Sequence, residues 1–191
     1  MTKILTLLAI ISVSHTVFSK EICNGNTNSE IENCAHENFQ SADNNLNGRY
    51  KDLLSKLTGT DKQNFVAAQR SWVAYKENYC QAAYDATSPG EEAGVDKWTC
   101  LTSVTEARTK EILYIGSSVG MGDYRRSLAI MADLYEHGDT SKVISRLVNQ
   151  YSERSDQNWK KYVDLNCKMT ASKLSEEHNA CVARLNFYRN W

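Results

Sequence analysis

Proline and glycine are scarce in this chain, with one proline and nine glycines among 191 residues. All-β architectures rely on both at turns and strand edges, so their scarcity argues for helices. Reactive-site signatures are missing too. The chain has no phosphate-binding loop, dinucleotide fingerprint or His-Glu-x-x-His pair, which leaves the common nucleotide-dependent and zinc-protease chemistries without support. Cys-x-x-Cys is absent and the six cysteines are scattered singly, which argues against a redox or metal centre. No run of like charge exceeds three residues and the formal net charge is −1, so neither nucleic acid nor anionic lipid is the expected partner. No Asn-x-Ser/Thr sequon occurs, so nothing marks a eukaryotic secretory route and a bacterial periplasm fits better.

What is present begins with an address. Lys3 precedes the uncharged, mostly apolar run Ile4 to Val13, and Val17 and Ser19 occupy the −3 and −1 positions of a cleavage site before Lys20. That pattern predicts a secretory signal peptide over residues 1–19, too short to span a bilayer core of roughly 30 Å. Cys23 follows Lys20-Glu21-Ile22, which is not the small apolar triplet of a lipoprotein. Removing the leader takes away one lysine and no acid, moving the formal charge from −1 to −2.

The apolar periods beyond the leader are helical. Phe39, Ala42, Leu46, Tyr50, Leu53 and Leu57 step by three or four and predict a first helix over 29–58, with Ser29-x-x-Glu32 as its capping box and Gly59 as its stop. Thr60-Asp61-Lys62-Gln63 reads as a second box, opening a helix through Phe65, Trp72, Tyr75 and Tyr79 to about Asp85, where Ser88-Pro89-Gly90 ends it. A third helix is expected over about 94–115. The run 116–123 holds three glycines and reads as a linker between a helical domain at 20–115 and a second, degenerate helical repeat at 124–191. In that second part a short helix ends at Gly138 and a longer pattern runs from Val143 to Met169, whole or broken near 152–155. A last helix spans about 175–188. The expected fold is all-α, a disulfide-stapled bundle of two unequal helical-hairpin halves.

The repeat rests on spacing. Trp72 stands eight residues before Cys80 and Cys100 eight before Arg108; Trp159–Cys167 and Cys181–Arg189 repeat both intervals. Eight residues is a little over two helical turns, so each pair shares one stripe. Laying Trp159 on Trp72 also lays Tyr162 on Tyr75, and Leu185 meets Val104. Six cysteines permit fifteen pairings. If each hairpin is antiparallel, Cys80 can meet Cys100 and Cys167 can meet Cys181, leaving Cys23 and Cys34 to tie the N-terminal tail to the first helix.

Other groups read as structural. His36, His137 and His178 form no ligand pattern, although His36 stands two residues after Cys34 and His178 three before Cys181. Glu91-Glu92 and Glu176-Glu177 are adjacent acids of the kind that is usually solvated, without a cleft to make a glycosidase pair. No enzyme activity is expected. Trp72, Tyr75, Tyr79 and Trp98 at helical spacing suit an aromatic core better than an exposed glycan platform. Arg108 and Arg189 lie on apolar stripes, where a guanidinium is expected to pair with a carboxylate or with helix-end carbonyls.

Cys34, Glu37, Asp43, Leu46-Asn47 and Tyr50, followed by Ala68-Gln69, Trp72, Tyr75, Cys80, Cys100-Leu101, Thr105 and Arg108, resemble in that order the domain of lysozyme inhibitor LprI-like proteins. The resemblance covers roughly residues 23 to 115. It implies an exported, disulfide-linked helical domain from a bacterium, with Asp43, Asn47, Tyr50, Trp72, Tyr75 and Arg108 as scaffold positions. For some members it implies inhibition of lysozyme, so a lysozyme or another peptidoglycan hydrolase is the implied partner and no cofactor or metal is implied. The alternative is a cell-envelope module that binds protein or glycan and inhibits nothing. Ser88, Pro89, Gly90, Glu91 and Glu92, held between Cys80 and Cys100, form the expected contact loop.

Overall fold

The computed structural model describes residues 21–152 and 156–190, so the leader expected over residues 1–19 lies outside the described residues. Seven helices and no strand occur among those described: α1 (Asn28–Lys56), α2 (Gly59–Thr87), α3 (Ala93–Ser117), α4 (Gly122–Tyr135), α5 (Thr140–Ser152), α6 (Gln157–Leu174) and α7 (His178–Asn190). None is long and apolar enough to cross a membrane.

Helix ends show where local chemistry differs from expectation. The capping box of α1 is Thr27 with Glu30, not Ser29 with Glu32: Thr27 Oγ1 accepts from the Glu30 amide at 3.2 Å, and Glu30 Oε2 accepts from the Thr27 amide at 3.2 Å. Glu32 is drawn to α3 instead, where Trp98 Nε1 donates to it at 3.4 Å. The box expected at Thr60 to Gln63 does not form. Helix α2 starts earlier, after Thr58, and neither Thr58 nor another side chain caps it. Gly59, expected as a stop for α1, opens α2 with a φ of 53°, a region glycine enters without a Cβ penalty. The long pattern from Val143 to Met169 is two helices. Asp139 Oδ1 accepts from the Ser141 amide at the start of α5, and Asp156 Oδ1 accepts from the Asn158 amide at 2.5 Å to restart the chain as α6. Between α3 and α4 only residues 118–121 are non-helical.

Helix α3 packs along both α1 and α2, α2 packs along α6, and α5 packs along α7. The N-terminal ends of α1 and α3 touch: a Cβ on Gly94 would fall 2.2 Å from a Glu32 carboxylate oxygen, so glycine permits the approach. The main core is continuous across both halves, joining Leu46, Phe65, Trp72, Tyr75 and Ile112 to Trp159, Tyr162, Met169 and Leu185. Each such side chain contributes roughly 1.5–3 kcal/mol of transfer free energy. A smaller cluster of Tyr124, Ala132, Val143, Leu147, Ala183 and Phe187 ties α4 and α5 to α7. The 116–123 stretch therefore separates two parts of the sequence that share one core.

Candidate functional site

Three disulfides form, in the pairing that antiparallel hairpins favour. Cys80–Cys100, Cys167–Cys181 and Cys23–Cys34 have Cα separations of 5.5, 5.7 and 5.6 Å, inside the range such bonds require. The first closes the hairpin of α2 and α3 a short way below its loop. In that loop Ser88, Pro89, Glu91 and Glu92 are exposed and Gly90 is half-buried. The Gly90 amide donates to the Thr87 carbonyl at 2.7 Å, the Ala93 amide to the Gly90 carbonyl at 3.2 Å, and the Ser88–Pro89 peptide is cis. Asn28 Nδ2 at the start of α1 donates to Glu91 Oε2 at 2.7 Å, so α1 braces the loop. This end of the molecule is acidic. Glu30 and Glu32 open α1, Asp85 closes α2, and Glu91, Glu92 and Asp96 open α3, while Lys97 is the one cation between Lys76 and Arg108. Carboxylates at helix N-termini are favoured by the helix dipole.

A second constellation lies between the halves. Arg108 is 1% exposed and meets no carboxylate. Its Nε donates to Gln69 Oε1 at 2.9 Å, and its Nη1 donates to Tyr162 Oη at 3.2 Å and to Asn166 Oδ1 at 2.8 Å. Asn166 Nδ2 donates to Glu111 Oε1 at 2.6 Å; Glu111 also takes Arg184, which donates to both oxygens of Glu176 at 3.0 and 2.8 Å. One buried chain thus links α2, α3, α6 and α7. Its four charges, Arg108, Arg184, Glu111 and Glu176, sum to zero, which is how such a seam tolerates burial. Burial pulls the Arg184 guanidinium below its ordinary value and pushes the Glu176 carboxyl up.

Arg189 behaves differently. Its guanidinium lies over Trp159, Tyr75 and Tyr79, at 5.1, 5.4 and 5.7 Å from the ring centroids. The arrangement is reciprocal. Arg108 of the first half reaches Tyr162 and Asn166 of the second, while Arg189 of the second reaches Tyr75 and Tyr79 of the first. In the alignment by spacing, Tyr162 stands for Tyr75 and Asn166 for Tyr79. Such exchange is the pattern of an isologous interface, here inside one chain. The expectation that both arginines pair with carboxylates or helix-end carbonyls is corrected: Arg108 uses neutral acceptors and Arg189 uses aromatic faces, with no carboxylate partner among the described residues.

The remaining residues singled out from sequence divide between surface and core. Asn47 Nδ2 donates to Asp43 Oδ2 at 2.8 Å on α1, and Tyr50 stacks on Phe65 with centroids 4.9 Å apart. Trp72 and Tyr75 are core residues. Trp98 is packed against His36 at 4.2 Å and Phe39 at 5.6 Å. Lys76 is buried, with its ammonium 5.0 Å from the Phe39 ring centre and 5.4 Å from that of Trp72. Glu176, expected to be a solvated acid, is a seam residue with a side chain 10% exposed. Glu111, Asn166 and Arg184 went unrecognised in sequence. No group of three or more metal-ligating side chains is gathered among the described residues.

The matched family covers the first of these constellations and one side of the second. Residues 23–112 match the family model described as lysozyme inhibitor LprI. The match runs through α1, α2 and most of α3, and takes in Cys23–Cys34, Cys80–Cys100, the acidic loop and Arg108. An uncharacterized protein of Rhizobium meliloti (strain 1021) is 25% identical over 96 residues, covering 44% of this chain and 69% of that protein. No solved structure matches this chain. The second half, with Arg184, Arg189, Trp159 and Cys167–Cys181, lies beyond the LprI match.

Proposed function

We propose that this is an exported binding protein that inhibits a muramidase by steric block. The match of residues 23–112 to lysozyme inhibitor LprI carries the reading. Three disulfides with no free cysteine among the described residues suit an oxidising compartment. The contact face we assign is the acidic end of the LprI-matching half, residues 88–92 together with the first turn of α1. A basic enzyme is steered toward such a face, and its two catalytic carboxylates call for hydroxyl and backbone donors at the point of entry. Bracing by Cys80–Cys100 and by Asn28 on Glu91 lowers the ordering cost of binding.

The test is lysis of cell-wall suspensions by lysozymes of several types, with the oxidised protein added. Slower clearing with increasing protein, weakened by added salt, is the expected result. Unchanged lysis at high molar excess against every type overturns the proposal. Replacing Ser88 to Glu92 by Gly-Ser repeats is expected to abolish inhibition without unfolding the chain, and full potency in that variant removes the loop from the contact.

A further inference from the structure

We infer that the cleft where α2, α3 and the end of α7 meet binds an acidic sugar, its carboxylate held by Arg189. The cleft measures about 520 Å³ and is lined by Tyr79, Ala82, Ala83, Val104, Tyr188 and Arg189, a volume within the usual span for small ligands of roughly 300–1,000 Å³. Below it lies a smaller cavity of about 20 Å³ that shares Val104, Tyr188 and Arg189 with it, room for about one water.

Charge decides the class of ligand. Arg108, Arg184, Glu111 and Glu176 neutralise one another within the seam, whereas Arg189 is half-buried and faces no carboxylate among the described residues. Its guanidinium lies 5.4 and 5.1 Å from the ring centroids of Tyr75 and Trp159, two rings tilted by 47° to each other, so it is positioned by aromatic contact and not by an opposite charge. A carboxylate pairs bidentately with such a guanidinium. Tyr75 Oη, Trp159 Nε1 and Arg108 Nη2 are fully buried without a hydrogen-bond partner among the described residues, and all three residues line the smaller cavity beside Glu111.

The walls decide the body of the ligand. Tyr79 is 37% exposed and Tyr188 is half-buried, and Ala82, Ala83 and Val104 add small apolar surface beside them. Aromatic and small apolar side chains around a single cation suit a sugar ring carrying one acid group. A neutral sugar lacks a partner for Arg189, and a bare carboxylate leaves the walls uncovered. The inference is independent of muramidase inhibition, because the cleft involves α7 and no residue of the 88–92 loop lines it.

Titration of the full oxidised chain with N-acetylmuramic acid, N-acetylglucosamine and acetate, followed by NMR at the Arg189 Nε–H and the Trp159 indole N–H, tests it. N-Acetylmuramic acid is expected to shift both signals saturably and to bind about tenfold more tightly than either control, the worth of one charge-assisted contact. Arg189→Gln is expected to remove that preference, and Tyr79→Ala, at an exposed position, to weaken binding severalfold with the fold intact. No saturable shift, equal affinity for N-acetylglucosamine or acetate, or unchanged binding by Tyr79→Ala and Arg189→Gln overturns it. Loss of inhibition in the lysis assay leaves this outcome unaffected, so failure of either proposal can be told from failure of the other.

Discussion

The two halves share the Trp-Cys and Cys-Arg spacings and differ in how far each could stand alone. In the first, α1, α2 and α3 have 29, 29 and 25 residues and two disulfides. In the second, α5, α6 and α7 have 13, 18 and 13 residues and one disulfide. Helix α1 closes the first half with Leu46, Leu53 and Leu57 in the main core; α5 supplies Val143 and Leu147 to a separate, smaller cluster and needs α4 to complete it. The spacings align Trp72 with Trp159, Tyr75 with Tyr162 and Arg108 with Arg189, all at the contact between the halves, while the lengths of the outer helices differ. Close packing explains the pattern, since a shared interior admits few shapes while an outer face admits many. The second half is thus docked on the first, chiefly by the packing of α6 along α2.

The largest test of that dependence is the seam. Glu111 on α3 holds Arg184 of α7 and Asn166 of α6, so Glu111→Ala strands a buried guanidinium with Glu176 alone. The expected loss is about 3–5 kcal/mol, measured by urea denaturation. It should appear as one transition for the whole chain, with tryptophan fluorescence and circular dichroism coincident. Two separated transitions in the native protein would show that the halves fold independently. Replacing Glu111 and Arg184 together by Leu and Met should recover much of the loss, because neither charge is then left unpaired.

The disulfides give the next effect. Cys80–Cys100 and Cys167–Cys181 close 20 and 14 residues, and in the chain-entropy model each contributes about 3 kcal/mol, differing by only a few tenths. Near equality is therefore expected for Cys80→Ser/Cys100→Ser and Cys167→Ser/Cys181→Ser if the halves form one cooperative unit. Cys23→Ser/Cys34→Ser should cost clearly less, since the tail it ties is exposed. A second-half variant that melts only part of the helix signal would break the single-unit picture.

How much of this was legible beforehand follows from the physics of each feature. Helix periodicity, hairpin geometry and the Trp-Cys and Cys-Arg spacings are local quantities, so the all-α fold and the cysteine pairing could be read from them. Capping was less legible because two overlapping boxes competed at residues 27–32, and contact with Trp98 of a distant helix drew Glu32 away. The seam was hidden for the same reason: Glu111, Asn166 and Arg184 are far apart in sequence, and only tertiary contact reveals that they meet. One signal was available. From Cys181 to Phe187 every residue of α7 is buried, and a charge inside a run of such hydrophobic density must find a partner. Arg189 was visible as half of a repeat, but its aromatic bed combines rings from both halves and has no local signature.

The smallest effect separates the two arginine–tyrosine pairs. Tyr162 Oη accepts from Arg108, so Tyr162→Phe removes a buried hydrogen bond and should cost about 1–2 kcal/mol at neutral pH. Tyr75 Oη has no hydrogen-bond partner among the described residues, so Tyr75→Phe should change stability by about 0.5 kcal/mol or less. Alkaline pH sharpens the contrast. Burial raises both hydroxyls above their ordinary value, against the opposing pull of Arg108 on Tyr162 and of Arg189 on Tyr75. A group raised on folding contributes stability below its unfolded pKa, about 10 for tyrosine, and loses it as pH rises beyond that. Phenylalanine cannot ionise in the unfolded chain, so each variant should lose less stability than the native protein between neutral pH and pH 11. Tyr75→Phe, nearly neutral at pH 7, should then become the more stable chain at pH 11, while Tyr162→Phe should merely narrow its deficit. Parallel pH dependence in both variants and the native protein would mean that neither hydroxyl is as buried as the seam requires.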